Sequence, residues 1–336
     1  MANEKTIVQE TSLTSEGQVQ HPTHKRSVKD YLLLFLKGMS MGAADVVPGV
    51  SGGTIAFITG IYEELLGSIR SVNGDAVKLL LRFNLKGFWK HINGNFLLVL
   101  VGGILFSVAT LSTIILYLLE NHPEMLWAFF FGLIVASAIV VGKKITRWTL
   151  PVLLAGLVGA AIAYYVTVAS PTQTPEALWF VFLSGAIAIC AMILPGISGS
   201  FILVLLAKYE YILGAVRDLK LSIIITFGIG CVAGLLAFSH MLNWMLKHYH
   251  NLTVALLTGF MVGSLNKVWP WKQTLETYTD SHGAVKPLVQ ENVLPTNYLQ
   301  ITGQEPYLLY GILLAIFGFV VVYFLDRISS DNTSEV

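Results

Sequence analysis

Charge is scarce in this chain. Lys, Arg, Asp and Glu make up 12% of its 336 residues against 54% apolar, and 21 cations nearly cancel 20 acids. A net charge of +1 leaves no electrostatic footprint for nucleic acid, so that class of partner is not expected. Cysteine is nearly missing as well: Cys190 and Cys231 sit in apolar stretches without CxxC spacing, which argues against a disulfide framework or zinc site and leaves them as small core residues. The eight histidines show neither HxxxH nor HExxH spacing. No metal and no cofactor is expected. Strict alternation of apolar and polar residues is lacking too, and with it the signature of a membrane barrel. Residues 1–29 are rich in Gln, Thr, Ser and Glu and have no apolar core followed by a small-residue cleavage site, so they read as a disordered tail rather than a signal peptide.

What the chain has in quantity is long apolar runs. They fall at about 31–47, 51–69, 96–119, 124–142, 149–169, 178–194, 198–216, 222–246, 252–268 and 307–326. Several suffice to cross a hydrocarbon core about 30 Å thick. Lipid satisfies no backbone polar group, so the spans are expected to be helices and the fold an all-α polytopic membrane protein. Lys25, Arg26 and Lys29 precede the first run; Arg70, Lys78, Arg82, Lys86 and Lys90 follow the second; Lys143, Lys144 and Arg147 follow the fourth. The positive-inside rule puts these three regions, and both termini, in the cytoplasm of a cell-membrane protein. The connections "ENHPE" and "SPTQTPE" and the polar stretch near 272–306 then fall outside, with Trp269 and Trp271 as interfacial anchors.

The stretch "VVPGVSGGTI", residues 46–55, interrupts one of these runs with helix breakers. It occurs twice. "GMSMGAADVVPGVSGGTIAFITGIYEELLGSIR" (38–70) aligns without gaps to "GAIAICAMILPGISGSFILVLLAKYEYILGAVR" (185–217) at an offset of 147, and Gly103, Ser112, Gly132 and Ser137 fall on Gly230, Ser239, Gly259 and Ser264 at an offset of 127. Three ordinary spans, an odd number, separate the two broken segments, so the second copy is expected upside down. That is the inverted-repeat plan in which paired interrupted helices mark a midplane binding site. The expected division is a tail (1–29), a first membrane unit (30–170) and a second (176–326), then a cytoplasmic tail (327–336). The first unit holds a re-entrant hairpin at 31–69, a basic cytoplasmic linker at 71–95 and three helices. The second holds a hairpin at 178–216, three helices and an external loop at 269–306.

After each break a helix is expected to start at Ser51 or Ser198, with free amides from Gly52, Gly53 and Thr54, or from Gly199, Ser200 and Phe201. Such ends attract anions, so Pro48, Gly49, Ser51, Gly52, Gly53, Thr54, Pro195, Gly196, Ser198, Gly199 and Ser200 form the candidate phosphate-binding or carboxylate-binding set. With residues 52–70 read as one helix, Arg70 and its match Arg217 lie about 28 Å beyond the tips, as headgroup-capturing residues at the two membrane faces. Asp45 is either a proton-coupling group or an acid that holds the break by bonding loop backbone. Glu63 and Glu210 precede Arg70 and Arg217 by seven residues, which suggests structural bridges ahead of proton transfer. Lys37 and Lys208 could neutralise the anion, but snorkelling to an interface is the preferred reading.

The first motif, "MGAADVVPGVSGGTIAFITGIYEEL", and the second, "LPGISGSFILVLLAKYEYIL", resemble the signatures of the polyprenyl-phosphate transporter family over about residues 30–326. The resemblance implies a membrane transporter and not an enzyme, moving undecaprenyl phosphate from the outer to the inner leaflet for reuse in envelope synthesis. It leaves a homo-oligomer open. The second copy departs from the first at Met192, Ser200 and Phe201, which stand opposite Asp45, Gly53 and Thr54. Two other functions fit the residues themselves: a channel or exchanger for a small anion, and, less well, a membrane enzyme acting on lipid phosphates. The latter is short of a histidine nucleophile in either motif.

Overall fold

A computed structural model describes residues 26–47, 50–279 and 285–334. Helix α1 (Val28–Val46) starts with a capping box: the Asp30 amide donates to Ser27 Oγ (3.3 Å) and the Ser27 amide donates to Asp30 Oδ2 (2.8 Å). Beyond a break lie α2 (Gly52–Ile58) and α3 (Tyr62–Arg70), two short helices α4 (Gly74–Leu81) and α5 (Leu85–His91), and three long ones, α6 (Gly94–Asn121), α7 (Pro123–Gly142) and α8 (Leu150–Val168). A similar series follows: α9 (Leu178–Ile193), α10 (Gly199–Leu205), α11 (Tyr209–Arg217), α12 (Leu221–His248) and α13 (His250–Ser264). Strands β1 (Lys272–Thr279) and β2 (Val285–Asn292), helix α14 (Pro295–Thr302) and helix α15 (Leu308–Ser334) complete the chain.

Among the described residues, α6, α7, α8, α12 and α15 are each long and apolar enough to cross a membrane. The protein is therefore a mostly helical, multi-pass membrane protein. Helix α13 ends at Ser264, short of the run to 268 that hydropathy suggests. Helix α1 begins inside the segment read as an N-terminal tail, whose residues 1–25 lie outside the described residues, and α15 continues through most of the segment read as a C-terminal tail. The linker 71–95 folds into α4 and α5, capped by Asn73 and Asn84.

The all-α expectation fails at one place. Strands β1 and β2 pair antiparallel, from Lys272 with Asn292 to Thr279 with Val285, in the polar stretch outside the apolar runs. Open strand edges are tolerated there because water can satisfy them. Nor are the two tryptophans simple interfacial anchors. Trp269 Nε1 donates to the Val293 carbonyl (2.9 Å) and Trp271 Nε1 to that of Pro306 (2.8 Å), and Trp271 is buried, so both tie this insertion to the helix ends.

A second departure matters more for the site. The helix after each break is not continuous: α2 gives way to α3 through Gly60 (φ 73°), and α10 gives way to α11, bent by 103°, through Ala207 (φ 51°). Gly60 and Ala207 are 147 apart, so both copies make the same left-handed turn, once with glycine and once against the Cβ of an alanine. The 28 Å separation expected for Arg70 and Arg217 rested on one straight helix and does not hold.

Close backbone crossings join the long helices, as expected where lipid gives apolar side chains no reason to associate and contact between small residues must do so. Gly103 of α6 lies against the Phe35 carbonyl of α1, and Gly38 against that of Leu100. Their matches repeat the contacts, Gly230 of α12 against Phe182 of α9 and Gly185 against Phe227. The remaining helices cross between the series: Gly132 of α7 meets Ala315 of α15, and Gly259 of α13 meets Gly156 of α8. None of these positions leaves room for a Cβ.

Two stability outcomes follow from this geometry. Ala207→Gly removes a left-handed alanine, and after the entropy of a freer unfolded chain is deducted it should stabilise the protein by about 0.5–1 kcal/mol. Gly230→Val should destabilise by roughly 1–3 kcal/mol by overpacking a helix crossing. Thermal unfolding of the purified protein in detergent measures both, as a higher and a lower midpoint than wild type.

Candidate functional site

The two breaks meet. Ser51, extended at the N-cap of α2, accepts a hydrogen bond from the Gly53 amide (3.1 Å) and donates one to the Met192 carbonyl at the end of α9 (3.0 Å). Tyr62 Oη, at the start of α3, donates to the neighbouring Ile193 carbonyl (3.2 Å). In the opposite sense, the Gly196 amide donates to Thr54 Oγ1 (3.0 Å). Gly196 has φ 89° and lies so close to Phe260, Met261 and Ser264 that only glycine fits. A Cβ at Gly53 would come within 2.5 Å of the Ile193 carbonyl oxygen. Residues 51–54 and 195–199 are all buried. Pro48 and Gly49 lie outside the described residues.

Electrostatics explain why a seven-residue helix survives here. The positive end of α2 faces Asp45, whose Oδ1 accepts from the Gly52 amide (2.7 Å), and the carbonyl end of α9. At the other end Lys37 Nζ donates to the carbonyl of Thr59 (2.7 Å), the C-cap of α2. Both Lys37 and Asp45 come from α1, eight residues apart, so one helix supplies a cation and an anion to the two ends of the next. Lys37 is therefore not a snorkelling residue. Of the two readings of Asp45, the backbone-holding one has a direct bond behind it. The amides expected to face a ligand at the first tip already have acceptors within the chain.

The second tip is built differently. Ser198 occupies the N-cap of α10, but its side chain caps no amide; its Oγ lies 2.8 Å from Ser200 Oγ. Met192, in the place of Asp45, is 41% exposed and brings no charge. The departures visible in the sequence thus become an asymmetry of mechanism, with an internal carboxylate at one tip and a pair of hydroxyls at the other.

The acid and arginine pairs lie apart from this centre. Glu63 and Arg70 occupy the first and last turns of α3, and Glu210 and Arg217 those of α11. Seven residues of helix separate the backbones of each pair by about 10 Å. Each placement complements the dipole of its own nine-residue helix. Among the described residues Glu63 makes no ion pair; Glu64 does, with Arg26, and Arg217 pairs with the adjacent Asp218 (3.2 Å). Lys208 is buried against the Thr174 carbonyl (2.9 Å) and the rings of Phe180 and Tyr211, a structural role. No group of acids, histidines and cysteines among the described residues is arranged to hold a metal ion. Tyr62 was the missed contributor; its alignment with Tyr209 was the one signal the sequence offered.

Comparison with known proteins now bears on this geometry. Residues 41–286 match a family described as VCA0040-like, undecaprenyl phosphate translocase-like. A protein of Vibrio cholerae serotype O1 named polyprenyl-phosphate transporter is 48% identical over 298 residues, covering 89% of this chain and 97% of that protein. A Staphylococcus aureus protein of the same name is 30% identical over 315 residues, covering 88% and 96%. No solved structure matches. A multi-pass helical protein with paired, contacting chain breaks, aligned with these transporters over nearly its whole length, belongs to the undecaprenyl phosphate translocase-like family.

Proposed function

We propose that the protein is a lipid translocase of the cell membrane that carries undecaprenyl phosphate from the outer to the inner leaflet, passing the headgroup between the two tips while the polyprenyl tail stays in the bilayer. The observation that carries this reading is the set of bonds across the tips, Ser51 to Met192, Tyr62 to Ile193 and Gly196 to Thr54. The membrane units 30–170 and 176–326 form an inverted repeat with a re-entrant hairpin in each half, and both termini face the cytoplasm. The matched glycine crossings support this arrangement, since equivalent residues of the two series make equivalent contacts.

Asp45 supplies the coupling. Its carboxylate already occupies the Gly52 amide that a phosphate would use. Taking up a proton weakens that bond and removes the repulsion between the two anions, so the headgroup arrives as Asp45 is protonated and leaves as it ionises. Bringing the lipid phosphate inward costs on the order of 20 kcal/mol in the idealised limit, and several after relaxation. Charge-assisted hydrogen bonds at roughly 1.5–3 kcal/mol each offset part of it. Arg70, half-buried at the end of α3, and Arg217, exposed at the end of α11, take in and release the headgroup.

Proteoliposomes with labelled undecaprenyl phosphate and a leaflet-selective readout test this reading. Ser51→Pro and Ser198→Pro should each reduce lipid flux at least about tenfold, the loss expected for one charge-assisted bond. A matched thermal-unfolding midpoint establishes that each variant is folded. Normal flux in both would sink the site. Asp45→Asn keeps an acceptor for Gly52 but cannot exchange a proton, so flux should persist and lose its dependence on pH; an unaltered pH profile would remove the coupling role. Arg70→Ala and Arg217→Ala should slow flux. Ionic conductance in bilayers free of polyprenyl lipid would instead mark a small-anion channel.

A further inference from the structure

A cavity of about 380 Å³ opens beyond the ends of α8 and α13, between the flank of α10 and strand β2. Its size is that of a small-ligand pocket. Two lysines line it. Lys267 follows the end of α13, and its ammonium sits 4.3 Å from the centroid of the Phe201 ring, three residues past Ser198. Lys272 opens β1, donates to the Lys267 carbonyl and lies over the Trp127 ring at 3.8 Å. Among the described residues neither ammonium has an ion-pair partner, and that of Lys267 has no hydrogen-bond acceptor.

This is an expensive arrangement to leave without a guest. Burial alone pushes Lys267 down to about 8, and burial together with the Lys267 charge holds Lys272 well below the usual lysine range. Between them the ammonium groups carry more donors than the chain answers, while the amides of Asn266 and Asn292 are already engaged, Asn266 Nδ2 with Thr167 Oγ1 (2.8 Å) and Asn292 Nδ2 with Asn266 Oδ1 (2.9 Å). One acid, the exposed Glu291, lies in the lining, so two cations outnumber it. Along α8 the rim carries the exposed Tyr164 and Val168.

We propose that this cavity is a reception site for a phosphate monoester, held by Lys267 and Lys272 beside the second tip before it moves between the tips. The chemistry specifies a compact dianion rather than a carboxylate, because two adjacent ammonium groups match the roughly −1.5 to −2 charge of a monoester at neutral pH. The exposed Tyr164 and Val168 on the rim let a prenyl chain leave toward the bilayer. The lipid-borne form of the ligand rests on the translocase reading; the site itself does not.

The test uses the purified full-length protein in nanodiscs, with farnesyl phosphate as probe and farnesol and inorganic phosphate as comparisons. Farnesyl phosphate should bind, and Lys267→Met and Lys272→Met should each weaken it at least about tenfold, one charge-assisted bond's worth, without lowering the thermal midpoint. Affinity should fall as pH rises past about 8, because deprotonating Lys267 removes the charge the anion needs; Lys272, Glu291 and Tyr164 are the other titratable groups facing it. Competition by inorganic phosphate at equal concentration would make free phosphate the ligand, and its failure to compete would assign the lipid form. Equal affinity in the double Lys→Met variant, or farnesol binding as tightly as its phosphate, would overturn the site. Lysine-dependent binding in a protein that moves no lipid would keep the site and end the translocase reading; lipid flux with lysine-independent binding would do the reverse.

Discussion

The structure turns on keeping a very short helix ordered where the chain has been broken. Helix α2 has seven residues, too few to hold together on its own in water. It is held because α1 places Asp45 on its first amide and Lys37 on the carbonyl of its C-cap, Thr59, and because α9 offers the Met192 and Ile193 carbonyls to Ser51 and Tyr62. Every donor and acceptor exposed by breaking a helix in an apolar medium costs several kcal/mol if left unanswered. The second break therefore repairs the first, and the two must be built together.

That mutual repair makes the centre both rigid and exchangeable. Each bond across it joins a side-chain hydroxyl to a backbone carbonyl or amide and is worth on the order of 1 kcal/mol net, so they order the centre without locking it. The burial of residues 51–54 and 195–199 describes a closed centre. Among the described residues, the one full charge in direct contact with the first tip is Asp45, which accepts from the Gly52 amide. At the second tip Met192 stands in the place of that charge. Matched in backbone, the tips are unequal in charge.

Much of this was legible in the sequence because it depends on backbone chemistry that residue types announce. The offset of 147 located both breaks, and of the glycines at an offset of 127, Gly103 and Gly230 pack α6 on α1 and α12 on α9 while Gly132 and Gly259 pack α7 on α15 and α13 on α8. What escaped depends on partners distant in the chain. The turn at Gly60 and Ala207 carries no proline, and its second copy lacks even a glycine, so no helix breaker common to both copies marked it. Hydropathy alone reads Lys37 as a lysine near an interface, since its acceptor at Thr59 lies across a break it cannot bridge on paper. The strands β1 and β2 were hidden for a different reason: they fall in a polar stretch whose bulged register no simple alternation reveals.

The two halves do not carry the same additions. Between α3 and α6 the first inserts α4 and α5, with Lys78, Arg82, Lys86 and Lys90 alongside the exposed Leu81, Phe83 and Leu85; between α13 and α15 the second inserts β1, β2 and α14. Neither has a counterpart at the matching position of the other half. A duplicated framework would by itself offer two like thresholds to whatever approaches. Because each porch is made of different material, a change in one leaves its opposite number untouched, and selection can shape the two approaches separately.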